Sequence, residues 1–271
     1  MNGARLLAAA AVFLCSPQAL FAADGGTEVE KRSVLRVCAD PNNLPYSNRA
    51  QAGFENKIAE FIAEDLGIPL SYYWFPQSMG FVRTTLGARR CDLVIGISAA
   101  NELLLNTNPY YSSAFALVYP ADAGHKLASL SDPKLKDAKL RIGLIAGTPP
   151  TGLLLENDLM EQVASYHLVV DTRVDSPSEQ VVKDLLAGKL DVAVLWGPLA
   201  GYLNRQHGSR LKVAPLVSDH SEKHRMIYRI TMGVRPNEIN WKRKLNRFIR
   251  KNGDKLHALM REYGVPLVAE K

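Results

Sequence analysis

The amino-acid sequence predicts an α/β protein of two interleaved lobes, each a mostly parallel sheet flanked by helices. Three observations lead there. Apolar, β-branched runs alternate with amphipathic helical stretches, the grammar of parallel strands joined by crossover helices. That order occurs twice, in units of roughly 100 residues, a normal lobe size. Extended stretches at Tyr110–Tyr119 and Met226–Val234 lead into and out of the second unit, so it is inserted into the first. Composition agrees. A chain of 271 residues with 47% hydrophobic and 22% charged residues is an ordinary globular one. It excludes collagen, coiled coil, bulk disorder and a disulfide-stapled miniprotein. A net charge of +6 raises nucleic acid as a partner.

The first residues weaken that idea. Arg5 is the only charge before Asp24, Leu6–Leu14 is unbroken and apolar, and Pro17 breaks that run before Leu20-Phe21-Ala22-Ala23, with small residues at a cleavage site. This reads as an export leader over residues 1–23, too short to span a bilayer. No small residues precede Cys15, so no lipoprotein anchor is expected. The mature chain then has about 248 residues, charge +5 and two cysteines. An exported protein with no stable membrane insertion and no nucleic-acid partner is expected.

Residues 24–33 are a polar tether. Ser33–Ala39 is a continuous apolar strand, followed by the turn-rich Asp40–Tyr46. Phe54, Ile58, Phe61, Ile62 and Leu66 share one helix face, ended by Gly67. Leu70–Phe75 is a strand stopped by Pro76, Phe81–Ala88 a short helix, and Asp92–Ile97 a third strand. In the second unit Leu140–Ala146 is a strand, and Gly147–Thr151 opens a helix through Leu155. Ser165–Val170 is a strand, Pro177–Ala187 a helix and Asp191–Leu195 a strand. Two helices, Glu238–Lys251 and Gly253–Tyr263, close the chain. The lobes are therefore expected at 34–110 plus 231–271 and at 115–227. The hinges fall at 111–114 and 228–230, and a double hinge lets lobes close on a ligand.

From Val34 to Val265 the chain resembles the type 2 periplasmic solute-binding proteins. The likeness lies in Cys38-Ala39-Asp40, Gly53-Phe54-Glu55, Cys91-Asp92-Leu93-Val94, Tyr110-Tyr111, Gly147-Thr148 and Gly188-Lys189-Leu190-Asp191. Leu35–Asn48 (LRVCADPNNLPYSN), Gly53–Lys57 and Trp74-Phe75-Pro76 are similar to the MxaJ/XoxJ group within that class. The resemblance implies a bilobed monomer in the periplasm, with no catalysis and no cofactor of its own. It also implies a role in maturation, activation or component delivery beside a PQQ-dependent alcohol dehydrogenase of methanol oxidation. A fold by itself does not establish that role. The rival readings are an importer's receptor for a small neutral or aromatic solute and, third, a dehydratase-like enzyme. The enzyme lacks a nucleophile–base grouping and a strand-end cation for a substrate carboxylate.

In this architecture a ligand sits between the lobes, at strand carboxyl ends and helix amino termini. The segments expected there are Asp40–Tyr46, Trp74–Gln77, Ser98–Glu102, Gly147–Thr151, Asp171–Pro177 and Trp196–Leu199. Candidate ligand or partner contacts are Asp40, Asn42, Asn43, Tyr46, Trp74, Phe75, Ser98, Glu102, Tyr110, Tyr111, Thr148, Thr151 and Trp196. Amino-acid receptors of the class hold the ligand carboxylate with an Arg shortly after the third strand and its ammonium with an Asp after the last lobe-two strand. Here no Lys or Arg occurs from Cys91 to His125, and Trp196 replaces the Asp. A zwitterion desolvated without counter-charges binds poorly, so the cleft reads as neutral and aromatic. Pro149 and Pro150 remove two N–H donors from the helix opening, which argues for a plain helix start rather than a phosphate site.

Cys38 and Cys91 are expected as buried free thiols. They lie at opposite ends of adjacent parallel strands, an offset of over ~10 Å at about 3.3 Å per residue. His220 and His224, with Asp219 and Glu222, have a metal-pair spacing, but the segment reads as a surface loop and no metal site is expected. Lys242, Arg243, Lys244, Arg247, Arg250 and Lys251 form the solvated face of the basic terminal helix, which an acidic partner would suit.

Overall fold

The structure is a computed structural model that describes residues 31–99, 101–124, 126–168, 176–219 and 223–269. The expected leader, most of the tether, His220, Glu222 and residues 171–175 lie outside the described residues.

The first unit runs β1 (Leu35–Ala39), a small hairpin of β2 (Asn42–Asn43) and β3 (Ser47–Asn48), α1 (Phe54–Leu66), β4 (Leu70–Trp74) and β5 (Leu93–Ser98). β1 lies parallel between β4 and β5, as the alternating pattern requires. α1 starts where the buried Asn56 side chain accepts the backbone N–H groups of Gly53 and Asn48 at 3.1 Å each. Its Phe54, Ile58 and Ile62 face is fully buried, each side chain contributing about 1.5–3 kcal/mol of apolar transfer. The short helix expected at Phe81–Ala88 is a π-helical turn over Arg83–Gly87.

β6 (Leu105–Asn106) and β7 (Tyr111–Pro120) lead into the second unit. There β8 (Ile142–Ile145), α2 (Pro150–Glu156), β9 (Val163–Tyr166), α3 (Pro177–Leu186) and β10 (Val192–Trp196) repeat the grammar. The strand expected at Ser165–Val170 starts two residues earlier, at Val163. Ser176 caps α3, with Pro177 in its first turn. Two longer elements, α4 (Gly197–Gln206) and β11 (Leu211–Pro215), were absent from the sequence reading, as were the two-residue strands β2, β3 and β6. β12 (Ile227–Val234) returns to the first unit, and α5 (Ile239–Glu262) closes the chain. α5 breaks at Asn252, which matches the two helices expected on either side.

All the long strands belong to one twisted path, β4-β1-β5-β12-β7-β10-β8-β9, with β11 on β7 and β6 on β12. The return strands make it mixed, because β12, β7 and β11 pair antiparallel with their neighbours. Tyr111–Ala114 pairs with Ile227–Ile230, and the next residues of β7 pair with β10 and β11. One core lies on the α1 and α5 side, built on Phe54, Ile58, Trp241 and Phe248. Others surround Leu117, Leu144 and Val192, and Val181, Leu185 and Leu195. Trp196 and Tyr228 touch both sides. This is the two-lobed α/β binding-protein fold.

One expectation fails. Cys38 and Cys91 form a disulfide, with Cα atoms 5.5 Å apart. An offset of over ~10 Å requires Cys91 to lie on the line of an extended strand. β5 begins only at Leu93, and Arg89 just before has φ +58°. Cys91 therefore follows a turn at Ala88-Arg89 and lies off the strand line, towards Cys38.

Candidate functional site

A cavity of about 690 Å³ opens between the β1–β3 loop and the second unit. Asn42, Asn43 and Leu44 form one wall; Thr148, Trp196 and Tyr202 stand among the residues opposite. Four of the expected segments contribute to it, including Ser176-Pro177 and Leu199. The floor is apolar through Phe115 and Leu195.

The loop carrying Asn42 and Asn43 is held by Asp40. One carboxylate oxygen of Asp40 accepts the N–H of Asn42 at 2.8 Å, the other that of Gln77 at 2.6 Å, and its backbone carbonyl accepts Ser47 Oγ–H. Asp40 is thus an organiser of two rim loops, with both carboxylate oxygens occupied. Asn43 Nδ2 donates to Gln77 Oε1 at 3.1 Å and ties the rims together.

Trp196 ends β10 and precedes the first turn of α4. Its ring stands edge-on to Phe115 (5.3 Å) and Tyr228 (5.8 Å), an arrangement favoured by the ring quadrupoles. The Tyr46 hydroxyl of the first unit lies near its indole N–H. Burial, then the neighbouring Glu55 charge, push the Tyr46 hydroxyl far above its ordinary range, and the indole N–H opposes them.

Tyr110 and Tyr111 lie in the α1/α5 core, 3% and 4% exposed, so the paired tyrosines are chiefly packing residues. Trp74 stacks on Tyr72 at 4.6 Å with the Arg49 guanidinium over its ring, and Phe75 packs towards Phe81; neither lines the cavity. Ser98 ends β5 and Glu102 is exposed in the following turn, both away from the cavity wall. Thr148 Oγ1 donates to the Ile145 carbonyl at 2.6 Å. Thr151 Oγ1 is buried with no hydrogen-bond partner among the described residues. His224 lies 3.4 Å from Glu156, and Asp219 accepts from Ser129 and Leu130. Among the described residues no three His, Cys, Asp or Glu side chains converge as metal ligands.

The sequence reading did not single out Glu55, Phe115 or Tyr228. Glu55 sits in the first turn of α1, with its carboxylate against the Cα of Gly96 on β5. A methyl group at Gly96 would lie 1.9 Å from Glu55 Oε1, and Gly96 has φ +79°. Burial, then the charge of Asp40, hold the Glu55 carboxyl well above the usual carboxylate range. The Glu55 charge in turn bears on Tyr46, Tyr110 and Tyr111. The available signal was the Gly53-Phe54-Glu55 motif itself.

No family model matches the chain. The periplasmic binding protein XoxJ from Methylobacterium extorquens AM1 is 43% identical, with a TM-score of 0.74 over 87% of this chain and 100% of that one. MxaJ from Methlophaga aminisulfidivorans MPT is 26% identical, again at 0.74, over 86% of this chain and 100% of its own. Protein MoxJ of Methylorubrum extorquens is 29% identical over 249 residues, 86% of this chain and 81% of the relative. An ancestral cationic amino acid solute-binding protein, 15% identical with a TM-score of 0.69, shares the fold alone. With the β1 loop, the cavity between the two units and this identity together, the chain belongs to the XoxJ/MxaJ group of type 2 periplasmic solute-binding proteins.

Proposed function

We propose that the protein is an exported, non-enzymatic accessory of methanol oxidation that recognises a PQQ-dependent alcohol dehydrogenase and assists its maturation, activation or loading. The observation that carries this is the 43% identity to XoxJ over the whole of that chain. The cavity wall supports it. Trp196 occupies the place where amino-acid receptors of the class carry an acid, and β5, β6 and β7 bear no Lys or Arg for a ligand carboxylate. Recognition of a partner segment by aromatic and neutral side chains suits such a wall.

In this reading residues 34–110 and 231–271 form lobe one and 115–227 form lobe two. The β7–β12 pairing at 111–114 and 228–230 is the hinge between them. The cavity of about 690 Å³, with its apolar floor, favours one rival, a receptor for a small neutral or aromatic solute.

Affinity capture from a periplasmic extract with the tagged mature chain tests the proposal. Retention of a quinoprotein dehydrogenase, with altered PQQ and metal content in that enzyme when the accessory gene is deleted, is the expected result. Capture of importer subunits alone, with a dehydrogenase of normal content in the deletion strain, overturns it in favour of the receptor.

A further inference from the structure

Six of the chain's 33 Lys and Arg residues stand in one stretch of α5: Lys242, Arg243, Lys244, Arg247, Arg250 and Lys251. No Asp or Glu occurs between Ile239 and Gly253. The fold decides which way this stretch faces. Trp241, Leu245, Phe248 and Ile249 are buried in the core beneath the helix. At about 100° per residue, Arg243, Arg247 and Arg250 fall on one narrow stripe opposite that buried face, and Lys244 and Lys251 flank it. All five are exposed.

The stripe costs the helix stability. Arg243 and Arg247, and Arg247 and Lys251, are like charges at i, i+4, a spacing at which they repel. The first turn of α5 holds no acid, and the cations that follow it oppose the positive end of the helix dipole. Within the chain there is little relief. Lys251 pairs with Asp65 of α1 at 2.5 Å, and Arg243 reaches only the Asn240 side-chain oxygen at 3.3 Å. Arg247 and Arg250 make no hydrogen bond or ion pair among the described residues. Negative charge brought from outside the chain removes the repulsion.

The geometry narrows the source of that charge. Arginine forks accept carboxylates in a bidentate manner, and the three arginines span about 10 Å of helix. A bilayer fits less well, because a helix that lies on lipid turns an apolar face to it. α5 buries its apolar face in the protein and, among its large apolar side chains, exposes Ile239 alone. The stripe is also remote from the cavity. The Trp241 indole N–H donates to the Asp92 carbonyl at 3.0 Å, at the entry end of β5. The Asn42–Leu44 wall follows the exit end of β1, which runs parallel to β5. No residue of α5 lines the cavity.

We propose that the exposed arginine stripe of α5 is a docking surface for an acidic protein, one that presents several carboxylates within about 10 Å. The proposal goes beyond the accessory role and does not rest on it. A partner held there leaves the cavity open to its own occupant.

Fluorescence anisotropy of a labelled oligo-glutamate peptide, titrated with the mature protein, tests the surface. Vesicles of phosphatidylcholine and phosphatidylglycerol are the second probe. Two triple variants are compared, Arg243→Glu/Arg247→Glu/Arg250→Glu on the stripe and Lys134→Glu/Lys136→Glu/Lys139→Glu on exposed positions of the second unit. Both change the net charge equally, and thermal melting verifies that both are folded. Saturable binding of the peptide by wild type is expected, weaker at about 200 mM than at about 50 mM salt. The stripe variant should lose roughly tenfold or more in affinity, and the control variant less than about twofold. Equal losses in the two variants would mean that net charge alone binds the peptide, and would overturn the proposal. So would no saturable binding by wild type, or binding of the vesicles without the peptide, which assigns the stripe to a lipid surface.

Discussion

Asp92 and Glu55 are two carboxyl groups of the first unit with opposite linkage to pH. For Asp92, burial works to raise the pKa, but hydrogen bonds from Arg36 and Arg235 outweigh it and the net direction is down. Arg36 Nε meets one oxygen at 2.8 Å and Arg235 the other at 2.7 Å, while Glu238 joins Arg235 and Arg32 in the same network. Its contribution is present above the usual carboxylate range and is lost as pH falls through its lowered value. Glu55 runs the other way. Its folded pKa is raised, so the folded state holds more protons than the unfolded one just above the usual range. Stability contributed there falls as pH rises towards the raised value. Glu55→Gln, neutral at every pH, should therefore melt higher than wild type at neutral pH, and the gap should close at about pH 4 and below. Melting curves across that range check this, and a gap independent of pH contradicts it. The Cys38–Cys91 bridge closes a loop of 53 residues and constrains the unfolded chain by roughly 4 kcal/mol on the loop-entropy estimate.

At the level of elements, α4 shows what periodicity leaves out. Gly197-Pro198 reads as a turn, yet Pro in a first helical turn is equally a start signal, and α4 begins there. Its glycines serve packing. A Cβ on Gly201 would lie 1.8 Å from the Gly264 carbonyl oxygen, and one on Gly197 2.5 Å from that of Ala114. The end of α5 and the tail beyond it thus lie directly on α4, with Tyr202 and Tyr263 stacked at 6.5 Å. Gly201→Ala should push α4 off this tail and destabilise the protein by about 1–3 kcal/mol, the usual cost of overpacking. Denaturant unfolding measures it, and an unchanged midpoint contradicts the contact. β11 was missed for another reason. Leu211–Pro215 is short, ends in proline and becomes a strand through its pairing with β7.

Across the whole molecule, the chain's end crosses the paired segment that we read as the hinge. Val268 N–H donates to the Ser112 carbonyl at 3.0 Å, and Ser113 Oγ–H to the Pro266 carbonyl at 2.7 Å. Pro266 also packs beside Gly197 and Gly201. On that reading, a tail fastened to both β7 and α4 would limit how far the second unit swings. Truncation after Val265 should keep the cores of both units, because Val265 is the last buried residue of the tail. It should widen the distribution of lobe separations. A larger radius of gyration by small-angle scattering, with little change in far-ultraviolet circular dichroism, is the expected result. An identical radius would show that the strands alone set the angle.

Much of this was legible in the residues. The 3.6-residue spacing of Phe54, Ile58 and Ile62 and the continuous apolar run of β1 record local burial, and each element's own pattern suffices to read it. The Asp40–Tyr46 loop and the bare stretch from Cys91 to His125 were legible too, because turn residues and missing charges are visible in one dimension. Three features were not. Cys38 and Cys91 pair because a turn redirects the chain just before β5, which strand counting does not see. Tyr110 and Tyr111 turn into the core because both sit where β7 passes beneath α1 and α5. Glu55 looks like a fully solvated first-turn acid on α1, and its raised carboxyl follows only when β5 brings Gly96 against it. Desolvation is a property of what surrounds a group, so no local pattern could announce it. The missing lysines and arginines were plain from the start; that the strands without them, β5 and β7, flank β12 at the junction of the two units follows only from long-range strand pairing.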